Sequence, residues 1–279
     1  MDTTNPQLRL QYASESISSA LAAGVDTLSN FGARLAETIP DIISGFKELV
    51  TSSGEIKEIK LTSDQRAFLK LLDQHSYAEL RYIKGYVPEG FNGKFDQLFD
   101  VLTQAVAYCS TIDERVLSPY VTFLASFANG GDAIKSLDSK EHMNAEFKKI
   151  RANLDSDYAS MFIRSNSARA PYGTLVDRNA DWKDVLVKAN SVENAMRSLN
   201  RTTISDQCRK AETYLDLIER KLSNGQLHNA TPEVCKALAE GAEQAANAVA
   251  YVSVVYYRVL AAFNSVDQTI NEVRRVVKA

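Results

Sequence analysis

"AVAYVSVVYYRVLAAF", Ala248 to Phe263, is the most apolar run in the 279-residue chain. Either it enters a lipid bilayer or it forms the middle of a protein core, and the fold class turns on which. A spanning helix needs roughly 20 apolar residues with few or no charges. The run has 16, and Arg258 lies inside it. Its flanks decide the matter. Thr231-Pro232 reads as a helix cap followed by proline at the first helical position. From there Cys235, Leu238, Ala242, Ala245, Val249, Val252, Tyr256, Val259, Phe263, Val266, Ile270, Val273 and Val277 recur at alternating steps of three and four. That is a heptad seam, and it runs through the apolar centre and the polar flanks alike. Lipid gives no reason for such a seam, whereas a partner helix does. At 1.5 Å per residue the helix is roughly 65 Å long. A second stripe, Ala246, Ala250, Val254, Tyr257 and Ala261, predicts that the middle of the helix is surrounded by neighbours.

Working outward, the same periodicity fills most of the chain. Ile17, Leu21, Val25, Leu28, Phe31, Leu35 and Ile39 mark one helical face, and Ile42, Ile43, Phe46 and Leu49 resume it after Pro40. "TSDQ", Thr62 to Gln65, has the capping-box pattern and opens a short helix. "KGYVPEGFNGKF" reads as a structured loop. A helix follows through Phe95, Leu98, Leu102, Cys109, Ile112 and Val116, and Ser118-Pro119 reads as the start of a fresh one. Further helices are expected from Ser139, from Asp181 (as a cap) and through Ile204, Cys208, Ala211, Leu215 and Ile218. "RSNSARAPYGTLVDRN" is read as a break between two of them. Gly (12) and Pro (6) are scarce, which also favours long helices over many short strands. The expected fold class is all-α: a multi-helix bundle with one long C-terminal heptad-patterned helix as its central post, closed within one chain.

The polar stretch "TSSGEIKEIK" marks the best internal boundary. It divides an acidic, amphipathic N-terminal arm, residues 1–55, from a helical bundle domain, residues 56–279. Residues 1–62 hold five basic and eight acidic side chains, so the rest is balanced at 27 against 27. A balanced body offers no strong nucleic-acid patch, which needs clustered basic charge. Lys/Arg are not gathered on one helical face as a membrane-surface helix requires, so no membrane partner is expected. No basic segment followed by an apolar core opens the chain, so a secretory leader is not expected either.

The search for chemistry returns little. His75, His142 and His228 lack a second ligand at metal-binding spacing, and no phosphate-loop, dinucleotide, nucleophile-elbow or zincin pattern occurs. Cys109, Cys208 and Cys235 are far apart and read as buried small hydrophobes. In "DRNADW", Trp182 and Arg178 form a binding anchor on one reading; the favoured reading has Asp181 capping a helix and Trp182 packing its first turn. The basic cluster "RRVVK" complements the negative end of the last helix. The chain is therefore expected to be non-enzymatic, with no catalytic residue, cofactor, metal or small-molecule substrate. Two alternatives stand beside this reading: a helical pore-forming toxin component and a cytosolic helical scaffold.

Three strings, "YVPEGF" (Tyr86–Phe91), "DRNADW" (Asp177–Trp182) and "SVVYYR" (Ser253–Arg258), together with "LRLQYASESISSAL" (Leu8–Leu21), give the chain a resemblance. It resembles the internal-head and virion structural proteins of large tailed bacteriophages. The resemblance implies a structural protein made in the host cytoplasm and packaged in the virion, where its partners are other virion proteins or copies of itself. It also implies trimming by a maturation protease after small-x-Glu triplets. Ala13-Ser14-Glu15 and Ser53-Gly54-Glu55 fit that pattern, and Leu35-Ala36-Glu37 fits it less well. Cleavage after Glu55 removes the arm at the inferred linker.

Overall fold

The computed structural model describes residues 43–44, 60–130, 167–199, 201–227 and 232–278. These residues are mainly helical. In chain order they form α1 (Gln65–Gln74), α2 (Tyr77–Leu80), β1 (Lys84–Pro88), α3 (Phe95–Ile112), a π-helical turn (Asp113–Leu117) and α4 (Ser118–Ala128). After residues 131–166 come β2 (Ser167–Pro171), α5 (Tyr172–Leu175), α6 (Asp181–Ser198), α7 (Arg201–Ser223) and α8 (Pro232–Lys278). The all-α class holds in its broad sense, with one two-stranded antiparallel ribbon added. The arm expected at 1–55, apart from Ile43 and Ser44, and the helix expected from Ser139 lie outside the described residues.

The long C-terminal helix is present as one 47-residue element. Its seam is buried at each step from Leu238 to Val273, with Val249, Val252, Tyr256, Val259 and Phe263 all at 3% exposure or less. The second stripe needs correcting. Ala246, Ala250 and Ala261 are buried, but Val254 is 38% and Tyr257 54% exposed. The helix buries Ala248, Tyr251, Val255 and Ala262 instead, so its buried face is wide yet open to solvent along one line. Arg258 is half-buried. A stretch of this helix, within 240–277, is long and apolar enough to cross a membrane by length and composition, and 71% of it is buried in protein.

Among the described residues the chain forms two units. The first comprises 43–44, 110–130, 201–227 and 232–253. Here α4 and α7 pack together, with Ile204, Cys208, Ala211, Leu215 and Ile218 buried along one face of α7. Tyr120 is buried and donates to the Leu238 carbonyl of α8 at 3.3 Å. A Cβ on Gly241 would lie 2.8 Å from the Tyr120 ring, so glycine is what lets the tyrosine pack on that helix. Ser118-Pro119 does not open a fresh helix. Leu117 before it is helical and makes no side-chain cap, and the Ser118 N–H reaches back five residues to the Asp113 carbonyl. The proline has no N–H to give to an α-helical ladder, and the wider π turn ahead of it carries the chain through without a stop. α4 ends at Ala128, and Gly130 just beyond it has φ 72°.

The second unit comprises 60–109, 167–199 and 254–278. Trp182 lies at its centre, fully buried, with Phe68 edge-on at 4.9 Å, Phe95 at 5.5 Å and Tyr172 at 6.2 Å. Phe99 and Phe263 meet edge-to-face at 5.8 Å. The Asp267 carboxylate of α8 receives the Thr62 and Ser63 N–H groups at 2.9 and 3.0 Å, tying the start of this unit to its last helix. The capping box predicted at Thr62–Gln65 is instead an Asp64 cap, which accepts from the Ala67 N–H. The reciprocal box occurs one helix later, between Ser76 and Glu79. Asp181 does not cap α6: it is the first residue of that helix, and its carboxylate grips the Arg178 backbone and guanidinium.

Candidate functional site

The loop expected at "KGYVPEGFNGKF" and the break expected at "RSNSARAPYGTLVDRN" pair with each other as β1 and β2. Lys84 lies opposite Pro171, Gly85 opposite Ala170, Tyr86 opposite Arg169, Val87 opposite Ala168 and Pro88 opposite Ser167. Both prolines occupy positions whose N–H would point away from the partner strand, where none is needed. The Tyr172 N–H donates to the Ile83 carbonyl at 2.8 Å, which marks Ile83 and Tyr172 as a hydrogen-bonding position of the ladder, although the Ile83 N–H itself turns back to the Leu80 carbonyl. By alternation Tyr86 and Arg169 are a non-hydrogen-bonded pair, and the backbone groups of both turn outward.

The outward groups of β1 are used. The Thr269 hydroxyl, fully buried on α8, accepts from the Tyr86 N–H at 2.8 Å and lies 3.1 Å from the Tyr86 carbonyl. One side chain thus does what a neighbouring strand would do. Ser265, one turn earlier, meets Ser167 hydroxyl to hydroxyl at 2.8 Å. A Cβ on Gly85 would stand 2.5 Å from Leu175 and 3.0 Å from Thr269, so only glycine lets the ribbon lie this close to α8. The Pro88 carbonyl accepts from the Phe91 N–H in a turn that leads to Gly90, at φ 92°.

Beside the ribbon is a cleft of about 610 Å³. Val87, Ala168 and Ala170 share the ribbon face that lines it, and Phe91 and Leu175 add apolar surface. Asn92, Lys94, Gln97 and Thr174 supply its polar groups, and Arg169 borders it. Several are committed to structure. The Lys94 ammonium meets the Asp177 carboxylate at 2.5 Å, a bond that holds it above the ordinary lysine range. Gln97 receives the Lys94 N–H, and the Thr174 hydroxyl donates to the Pro171 carbonyl at 2.7 Å. The Arg169 guanidinium is exposed and lies 6.0 Å from the Tyr86 ring, on the same face of the ribbon.

The residues singled out from the sequence do not converge here. Glu15 and Glu55 lie outside the described residues, as do His142 and His228. His75 ends α1 and faces Glu79 at 3.7 Å. Burial pushes the Cys109 and Cys208 thiols up to about 12, so neither is poised as a nucleophile. Trp182 packs the core and presents no anchor. At the C-terminus Arg275 pairs with Glu272 at 2.7 Å, and Arg274 bonds the Asp64 carbonyl. Among the described residues no three His, Cys, Asp or Glu side chains are grouped to hold a metal ion. The signal that could have revealed the cleft is local: "KGYVP" and "SARAP" each end in proline after a short run with small residues, an edge-strand pattern. No protein-family model, curated protein or solved structure matches this chain.

Proposed function

We propose that the chain is a non-enzymatic structural or interaction protein, a component of a bacteriophage particle that meets other virion proteins or further copies of itself. The observation that supports an interaction role is the make-up of the cleft. Strand backbone, two alanines and a few apolar side chains line it, and its lysine, glutamine and threonine are engaged in holding the loops. Such a lining offers shape and backbone hydrogen bonds to a polypeptide. The phage setting rests on the sequence resemblance, and with it the passage from host cytoplasm to virion and the trimming after Glu15 or Glu55. Mass spectrometry of purified particles tests both. The chain should be present in stoichiometric amount, with a new N-terminus at Ser16 or Ile56. Its absence from particles removes the virion role, and an intact N-terminus removes the processing. Leakage of dye from liposomes on adding the chain would favour a pore-forming component instead.

A further inference from the structure

We propose that the outward edge of β2 is a strand-addition site for an extended peptide with an acidic residue between two apolar ones. The inference rests on the interaction reading and specifies the site and the partner's chemistry.

The ribbon has two edges, and they differ. On β1 the outward Tyr86 groups are taken by Thr269 and the outward Pro88 carbonyl by Phe91. On β2 the Pro171 carbonyl is taken by Thr174. The Arg169 N–H and C=O lie between, turned outward by the register, and among the described residues nothing pairs with them. A donor and an acceptor on one residue are the repeating unit by which a sheet edge captures an extended chain.

Charge selects the occupant. In an added strand, the residue opposite Arg169 shares its face and lies about 5.5 Å away between Cα atoms. A second copy pairing edge to edge about a two-fold axis through this residue would set Arg169 against Arg169, which is unfavourable. A carboxylate at that position meets the guanidinium, which makes no salt bridge among the described residues, its charge being felt at a distance by the Glu272 carboxylate, itself paired with Arg275. Side chains alternate across a strand, so the residues before and after the acidic one turn to the opposite face. That face carries Val87, Ala168 and Ala170 and opens into the cleft, with Phe91 and Leu175 beside it. The small alanines leave room there for two branched apolar side chains.

The test uses the full chain and the fluorescent peptide acetyl-Thr-Val-Glu-Val-Thr-amide, read by anisotropy. Saturable binding is expected. N-methylation of the central residue, which removes the N–H that faces the Arg169 carbonyl, should weaken it at least roughly tenfold, about 1.4 kcal/mol. Lys in place of the central Glu should weaken it by a similar factor. Arg169→Glu should reverse the order of the Glu and Lys peptides while leaving the circular dichroism unchanged, since the side chain is exposed. Equal binding of the N-methylated peptide overturns strand addition, as does no saturable binding at millimolar peptide. A dimer of the free chain that Arg169→Glu dissociates would show that a second copy occupies the edge, and would also overturn the proposal. Cross-linked partners mapped elsewhere on the surface, with no peptide binding here, would leave the interaction reading standing and remove only this site.

Discussion

Thr269 shows how much of this structure rests on single side chains. Its hydroxyl is buried, receives one backbone N–H and lies within reach of the Tyr86 and Ser265 carbonyls. Replacing it by valine keeps the shape and removes these bonds, leaving two strand groups unpaired against α8. The expected cost is about 1–3 kcal/mol. Thr269→Ser keeps the hydroxyl and should recover most of it. Thermal melts of the two variants check this, and equal melting temperatures would show that the hydroxyl does not hold the ribbon. At this scale the sequence was hard to read. Asp181 stands before an apolar run and has the look of a cap, but the Arg178 N–H and guanidinium compete for its carboxylate and win. Trp182 is buried as the favoured reading expects, but the sequence shows only that it packs near a helix start, since a lone tryptophan after a loop also occurs at interfaces. Only the arrival of Phe68, Phe95 and Tyr172 from distant parts of the chain decides it.

Among the elements, α8 was legible because its information is local. A residue's face on a helix is fixed by its spacing, so the 3–4 seam and the buried line from Leu238 to Val273 are one fact expressed twice. The same spacing makes neighbouring positions unequal. Val252 is buried and Val254 is 38% exposed. Val252→Asp places a carboxylate at a buried position in the core and should unfold the protein or destabilise it by more than about 3 kcal/mol. Val254→Asp should change stability by no more than about 0.5 kcal/mol. Chemical denaturation of both variants decides, and similar midpoints would contradict the register. The ribbon was not legible for the converse reason. β1 and β2 are five residues each and lie roughly 80 positions apart, so neither carries enough periodicity to announce itself. Their pairing is a tertiary event. The π turn was missed through a rule correctly applied: proline usually marks a helix start, and here a wider turn absorbs it. The cleft was lost with the ribbon, since its floor does not exist until the two strands meet.

For the whole molecule, Cys109 and Cys208 allow each unit to be followed separately, since Cys208 belongs to one unit and Cys109 to the other. Both are free and buried, and burial raises each thiol from an ordinary 9.0 to about 12. In the folded chain at pH 8 neither should react with iodoacetamide, and both should on unfolding. Mass mapping of the alkylated peptides reads this, and labelling of Cys109 or Cys208 in the native protein would refute the burial of its unit. The same shifts set a direction for stability. Below pH 9 both states hold these protons, so folding is unaffected. Between pH 9 and 12 the unfolded chain releases them while the folded chain keeps them, so stability falls, by at most about 1.4 kcal/mol per pH unit for each thiol. Above pH 12 their contribution levels off. Buried Tyr120 and Tyr172 hydroxyls, also pushed up by desolvation, act with the same sign. A Cys109→Ala, Cys208→Ala double variant should therefore lose stability less steeply than the parent across pH 9–12, whatever its stability at pH 7. Parallel slopes would mean that neither thiol is held neutral by the fold.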